Sequence, residues 1–186
     1  MLKWLPYYLA LCRTINLTRI GNLVLVECSY LISLISRKVV VAGQPWAASV
    51  EPTTSCNLSC PECPTGMHQL SRPKGSLDFR NFEKILNALS SKLIHLTLYF
   101  QGEPFLNKDI FAMIKLAVSR KIFVATSTNA HFLSDANVSS IISSGLNHLI
   151  ISMDGLDQQV YGKYRVGGDL SKVTEGIHRL VLARKA

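Results

Sequence analysis

The sequence predicts an α/β protein of the β/α-barrel kind, open or closed, on three observations. From Ala47 onward, short runs rich in β-branched and aromatic residues alternate with segments whose apolar residues recur every three or four positions. The strand candidates are nearly all apolar, as parallel strands covered on both faces are. Each is followed by a polar cluster, and the carboxyl ends of the strands are where such barrels carry their chemistry. No glycine-spaced nucleotide fingerprint follows the first strand, which disfavours a dinucleotide-binding sheet.

The elements follow in order. Ala47 to Pro52 is the first strand candidate, and a loop rich in Pro, Ser and Gly runs from Cys56 to Gly75. Asp78 caps a helix with Phe79, Phe82, Ile85, Leu86 and Leu89 on its apolar face. Ile94 to Phe100 is the second strand, broken by Gln101-Gly102-Glu103-Pro104. Asn107 or Lys108 opens a helix carrying Ile110, Ile114, Ala117 and Val118. Ile122 to Thr126 is the third strand, with Ser127-Thr128-Asn129 after it. Ser134 caps a helix with Val138, Ile141 and Ile142, and Gly145 stops it. His148 to Met153 is the fourth strand, turned by Asp154-Gly155, and Ser171 caps a last helix with Val173, Ile177, Leu180 and Val181 inward. Four successive βα units imply a parallel sheet with right-handed crossovers.

The chain has 186 residues, 48% hydrophobic and 17% charged, which excludes a disordered tail. Residues 1–45 read as an apolar helical segment and 46–186 as the core domain. Met1 to Leu11 is apolar, but Pro6 interrupts it and no small-residue cleavage site precedes Arg13, which argues against a signal peptide. Leu23 to Ile35 is the longest apolar stretch; it is shorter than the about 20 residues a membrane span needs and contains Glu27. A helix packed on the domain is expected there in preference to membrane contact, because an interfacial helix carries a basic polar face. The net charge of +8 is spread evenly with no basic stripe, so no nucleic-acid partner is expected.

Five cysteines, three of them clustered, do not make a secreted disulfide scaffold; a reducing compartment, the cytoplasm, is expected. Cys12 and Cys28 read as buried small hydrophobes. The spacing Cys56-x-x-x-Cys60-x-x-Cys63 gathers three soft thiolate ligands. A cubane iron–sulfur cluster is fully ligated by four cysteines, so three would leave one iron open. The rival is a non-catalytic structural zinc module, with His68 as fourth ligand. Spacing alone leaves both open.

Five segments, in this order and spacing, resemble the radical S-adenosylmethionine (SAM) superfamily. They are Cys56-Asn57-Leu58-Ser59-Cys60-Pro61-Glu62-Cys63, Gln101-Gly102-Glu103-Pro104, Ser127-Thr128-Asn129, Ile151-Ser152-Met153-Asp154-Gly155 and Tyr164-Arg165-Val166-Gly167-Gly168. The likeness is to the branch whose longer members carry a C-terminal SPASM or twitch extension. It implies an incomplete (βα)6-type partial TIM barrel with about four βα units, preceded by an N-terminal helical segment. It also implies a chain that stops short of strands 5 and 6, as a truncated fragment would. Cys56, Cys60 and Cys63 would hold a 4Fe–4S cluster, with SAM's amino and carboxylate groups on the fourth iron. Reductive cleavage of SAM would give a 5′-deoxyadenosyl radical that abstracts hydrogen from an unknown substrate, a small molecule or a peptide. The electron would come from a donor such as a flavodoxin or ferredoxin. Gly102 and Glu103 match a Gly-Gly-Glu motif that accepts hydrogen bonds from SAM's ammonium, with Gln101 in place of the first glycine. The resemblance gives Ser127, Asn129, Ser152 and Asp154 contacts with SAM and Arg165 a carboxylate partner. It identifies no residue that acts on the substrate.

Overall fold

Four apolar runs form β1 (Ala47–Ser49), β2 (His95–Thr97), β3 (Phe123–Thr128) and β4 (His148–Ile151). A computed structural model describes residues 5–185 around them; residues 1–4 of the Met1 to Leu11 run lie outside the described residues. The sheet order is β1-β2-β3-β4 and every pairing is parallel, with His95 opposite Ala47 and opposite Phe123, and His148 opposite Ala125. Helices α3 (Phe79–Leu89), α4 (Ile110–Ser119) and α5 (Asp135–Ser144) connect successive strands, and α6 (Gln158–Tyr164) and α7 (Leu170–Lys185) follow β4. This is the α/β partial barrel expected from the alternation.

Local chemistry sets the element ends. Asp78 accepts from Asn81 N–H and Ser134 from Asn137 N–H, each at a helix start. Gly145 ends α5 at φ 76°, in the left-handed region where a glycine is unstrained. Asn107 does not open α4; its side-chain oxygen accepts from Asp109 N–H at 2.8 Å, one residue before the helix begins. The last helix is capped by Asp169 rather than Ser171: the carboxylate accepts from Ser171 N–H at 3.0 Å and Lys172 N–H at 3.4 Å. An anion is also favoured there by the helix dipole. Helix α6, capped by Asp157, has no counterpart in the sequence reading, because its seven residues carry no apolar repeat.

The core lies between sheet and helices. Phe82 and Leu86 of α3, Met113 and Ile114 of α4, Val138 of α5 and Val173 of α7 close over Leu96, Leu98 and Val124. Below the sheet sits α1 (Leu5–Cys12), where Tyr7 stands edge-on to Phe123 and His148, the residues that open β3 and β4. The amino ends of the strands are thereby covered, and their carboxyl ends are left for the polar clusters.

The N-terminal segment departs from expectation in its orientation. Helix α2 (Leu17–Ser36) buries its polar residues Arg19, Asn22 and Ser29 and leaves most of its apolar ones exposed. Arg19 donates to the carbonyls of Thr14, Ser90, Arg120 and Lys121, and so ties α2 to the carboxyl ends of α3 and α4. Cys12 and Cys28, expected to be buried, are exposed because they sit on outward faces of these two helices.

Candidate active site

The cysteine loop is held at its base. Thr53 bridges Ser76, Thr54 N–H donates to Gly75 O at 3.0 Å, and Leu77 N–H donates to Pro52 O at 2.9 Å. The Asn107 amide spans the closure, donating to Pro52 O at 2.7 Å and Leu77 O at 2.8 Å. The loop beyond is thus a closed excursion from the carboxyl end of β1. Inside it, Gly66 lies against Cys60: a Cβ there would stand 2.5 Å from Cys60 N and 2.6 Å from Cys60 O. Ser59 N–H donates to Val166 O at 2.9 Å, fastening the loop to the segment between α6 and α7.

Cys56, Cys60 and Cys63 line one cavity of about 270 Å³ together with Gly102, Glu103, Ser127, Asn129, Ser152 and Arg165. The structure therefore brings together nine of the ten residues singled out for the cluster and SAM. The tenth, Asp154, does not line the cavity; it pairs with Arg165 Nε at 2.5 Å, and Arg165 in turn reaches Cys60 Sγ at 3.8 Å. Burial alone would lower Arg165, but its bond to Asp154 and the charges of Asp154 and Cys60 raise it above its ordinary value. It stays a cation beside the sulfur.

Gly102 makes the approach of two strands' ends feasible. Its φ is +75°, and a Cβ would fall 2.4 Å from Thr53 O and 2.8 Å from Ser55 O. Gln101, in place of a glycine, also lines the cavity, and its amide oxygen accepts from Arg72 at 3.3 Å. Glu51 holds the same turn, accepting from Gln101 N–H at 3.0 Å and from both terminal nitrogens of Arg72.

Glu103 is fully buried and bonded by three protein donors. Oε1 accepts from the Thr128 hydroxyl at 2.8 Å and Phe105 N–H at 3.2 Å, and Oε2 accepts from Asn129 N–H at 2.8 Å. A carboxylate has about four lone-pair positions, so about one is left for anything in the cavity. Burial raises the Glu103 carboxyl above its ordinary range, against the pull of these donors and of the Arg165 charge. Its first role is to lock the end of β2 to the end of β3.

Asn129 is placed by that lock. Its side-chain nitrogen donates to Asn57 Oδ1 at 2.8 Å and lies 3.9 Å from Cys56 Sγ. Its oxygen meets His131 N–H and Nδ1, both at 3.1 Å. His131 Nε2 accepts from Asp169 N–H at 2.9 Å, which assigns the ring proton to Nδ1. Ser127 and Ser152 face each other at 3.3 Å across β3 and β4. Cys56 is half-buried; desolvation raises its thiol, the Leu58 N–H opposes this, and the charges of Glu103, Cys60 and Cys63 raise it further.

The donor set discriminates between the two metal readings. A single zinc holds its donors about 2.0–2.3 Å from one point. Among the described residues, no three His, Cys, Asp or Glu side chains are gathered in that way. His68 is exposed on a left-handed turn at φ 57° and does not line the cavity. Three thiols around one cavity, with Cys12 and Cys28 on exposed helices, fit a cluster that leaves an iron for another ligand. Sequence reasoning missed Glu51, Gly66, Arg72 and Thr128. Each acts through a partner distant in sequence or through backbone crowding, and neither has a local signature.

A family model described as the radical SAM superfamily matches residues 50–184. An AdoMet-dependent heme synthase of Methanosarcina barkeri is 24% identical over 143 residues, covering 76% of this chain and 41% of that protein. A PqqA peptide cyclase of Rhodopseudomonas palustris is 28% identical over 126 residues, covering 68% of this chain and 33% of that protein. The chain thus spans well under half the length of these relatives. The solved structure of native anSMEcpe with bound AdoMet superposes with a TM-score of 0.61 at 19% identity, covering 75% of this chain and 42% of that one. That likeness extends to the fold.

Proposed function

The chain belongs to the radical SAM superfamily, and from that premise we propose that it is the cofactor-binding part of a radical SAM enzyme. Its cofactors are SAM and a 4Fe–4S cluster, as the family match and neighbours with bound AdoMet imply. We assign the cluster to Cys56, Cys60 and Cys63. The observation that carries the reading is that these thiols and the ends of β2, β3 and β4 line one cavity. When bound, the pair supplies reductive cleavage of the sulfonium and, through it, hydrogen abstraction from a substrate.

This chain's residues bind and orient. The free acceptor position of Glu103 and the Ser127 and Ser152 hydroxyls are the groups we assign to SAM. Gly102 lets the β2 end lie flat against the cysteine loop, so that backbone there faces the cavity. Arg165 supplies a fixed cation at Cys60, and Asp154 acts only through Arg165. Asn129 spans from the Glu103 lock to the Cys56 loop.

We further place the parent enzyme in the SPASM or twitch branch, acting in the cytoplasm on a peptide or small molecule with a flavodoxin- or ferredoxin-type donor. A peptide cyclase among the relatives supports the peptide reading. The test is anaerobic incubation of the reconstituted chain with SAM and a strong reductant. Equal amounts of methionine and 5′-deoxyadenosine are expected, and none from Cys60→Ala. Product from Cys60→Ala at the full rate would refute the assignment.

A further inference from the structure

The outward face of α2 is mostly apolar, with the exposed Glu27 on its flank. Leu17, Ile20, Val24, Leu31 and Ile35 recur at helical spacing and are exposed, Leu17 at 87% and Ile35 at 85%. In a water-soluble helix the stripe faces the core; here the polar residues do.

The orientation is pinned. Arg19 donates to Ser90 O and Arg120 O at 3.1 Å, and Asn22 exchanges two hydrogen bonds of 2.8 Å with the Gln44 backbone. Rolling the apolar stripe inward would strip a buried cation of its carbonyl partners. The helix is long and apolar enough to cross a membrane, at 20 residues. With one side bonded to the domain, however, it is placed to lie in an interface and not to span one.

The surroundings identify the occupant. Residues 1–50 carry five basic residues and one acidic. Arg13 precedes α2, and Arg37 and Lys38 follow it, all three exposed. Exposed basic side chains at both ends of an apolar helix face match an anionic headgroup layer over acyl chains. Two copies of the chain match poorly: both ends of α2 are basic, so either parallel or antiparallel pairing sets like charges together.

We propose that the outward face of α2 is a docking surface for an anionic lipid bilayer, with α2 lying in the plane of the interface. This reverses the packing expected from the sequence and is independent of the chemistry assigned to the cysteines. The test is co-sedimentation of the full chain with vesicles of phosphatidylcholine and phosphatidylglycerol, against phosphatidylcholine alone. Binding is expected to the anionic vesicles, weakened by salt. Val24→Glu and Leu31→Glu, both at exposed positions, should each weaken it by about tenfold or more. Four outcomes would overturn the proposal. They are no binding, equal binding to neutral vesicles, binding indifferent to both substitutions, and a concentration-dependent dimer that the substitutions break.

Discussion

At the scale of single residues, the cysteine loop is shaped by what cannot be larger as much as by what binds. Gly66 is the clearest case, since its Cβ position is taken by the Cys60 backbone at 2.5 Å. Gly66→Ala removes no ligand, yet the loop must open to admit the methyl group. Iron loading in the reconstituted chain should fall several-fold, with the fold intact by circular dichroism. Unchanged loading would show that the loop is not held closed there. Cys56 gives a pH dependence. Its thiol is raised by burial and by neighbouring negative charge, so the protonated form persists to higher pH than in a free cysteine. The reactive thiolate therefore grows in only as pH rises through that raised value. Alkylation of Cys56 in the metal-free chain, followed by peptide mass spectrometry, should show a midpoint above the about 8.5 of an ordinary thiol. A midpoint at or below it would contradict the environment described for Cys56.

At the scale of elements, α2 is tied to α3 and α4 by one guanidinium. Arg19 is buried and serves four backbone carbonyls, three of them at the carboxyl ends of α3 and α4. Hydrogen bonds to charged groups are worth more than neutral ones, so Arg19→Ala should cost about 2–3 kcal/mol of stability. The loss is measured by chemical denaturation, with α2 becoming the first site of proteolytic cleavage. A loss within about 0.5 kcal/mol, the range of ordinary surface changes, would mean that other contacts hold the helix. These elements also show what the sequence makes legible. Asp78, Ser134 and Gly145 announce helix ends because capping is local chemistry. The strands announce themselves by apolar and β-branched runs, although burial on both faces holds only for the central β3; β1 and β4, at the sheet edges, are partly exposed. Helix α6 does not, being short and without a stripe. The direction in which α2 faces is hidden for a further reason: periodicity reveals which side of a helix is apolar and nothing of which side meets the protein. That choice is made by Arg19 reaching carbonyls about seventy to one hundred residues away.

At the scale of the whole molecule, the parallel order β1-β2-β3-β4 brings four sequence-distant polar clusters to one end of one sheet. The order of the clusters along the chain is legible in the sequence because the βα repeat fixes where each strand ends. The lock between Glu103, Thr128 and Asn129 is not, because it depends on how adjacent strands are registered. The sheet closes at its amino end on Tyr7 and opens at its carboxyl end on three thiols. The most direct measurement is the iron, acid-labile sulfide and zinc content of the chain after anaerobic reconstitution. About four irons and four sulfides per chain, lost in Cys56→Ala, Cys60→Ala and Cys63→Ala, are what a cluster on these thiols gives. One tightly held zinc with no sulfide would contradict the account.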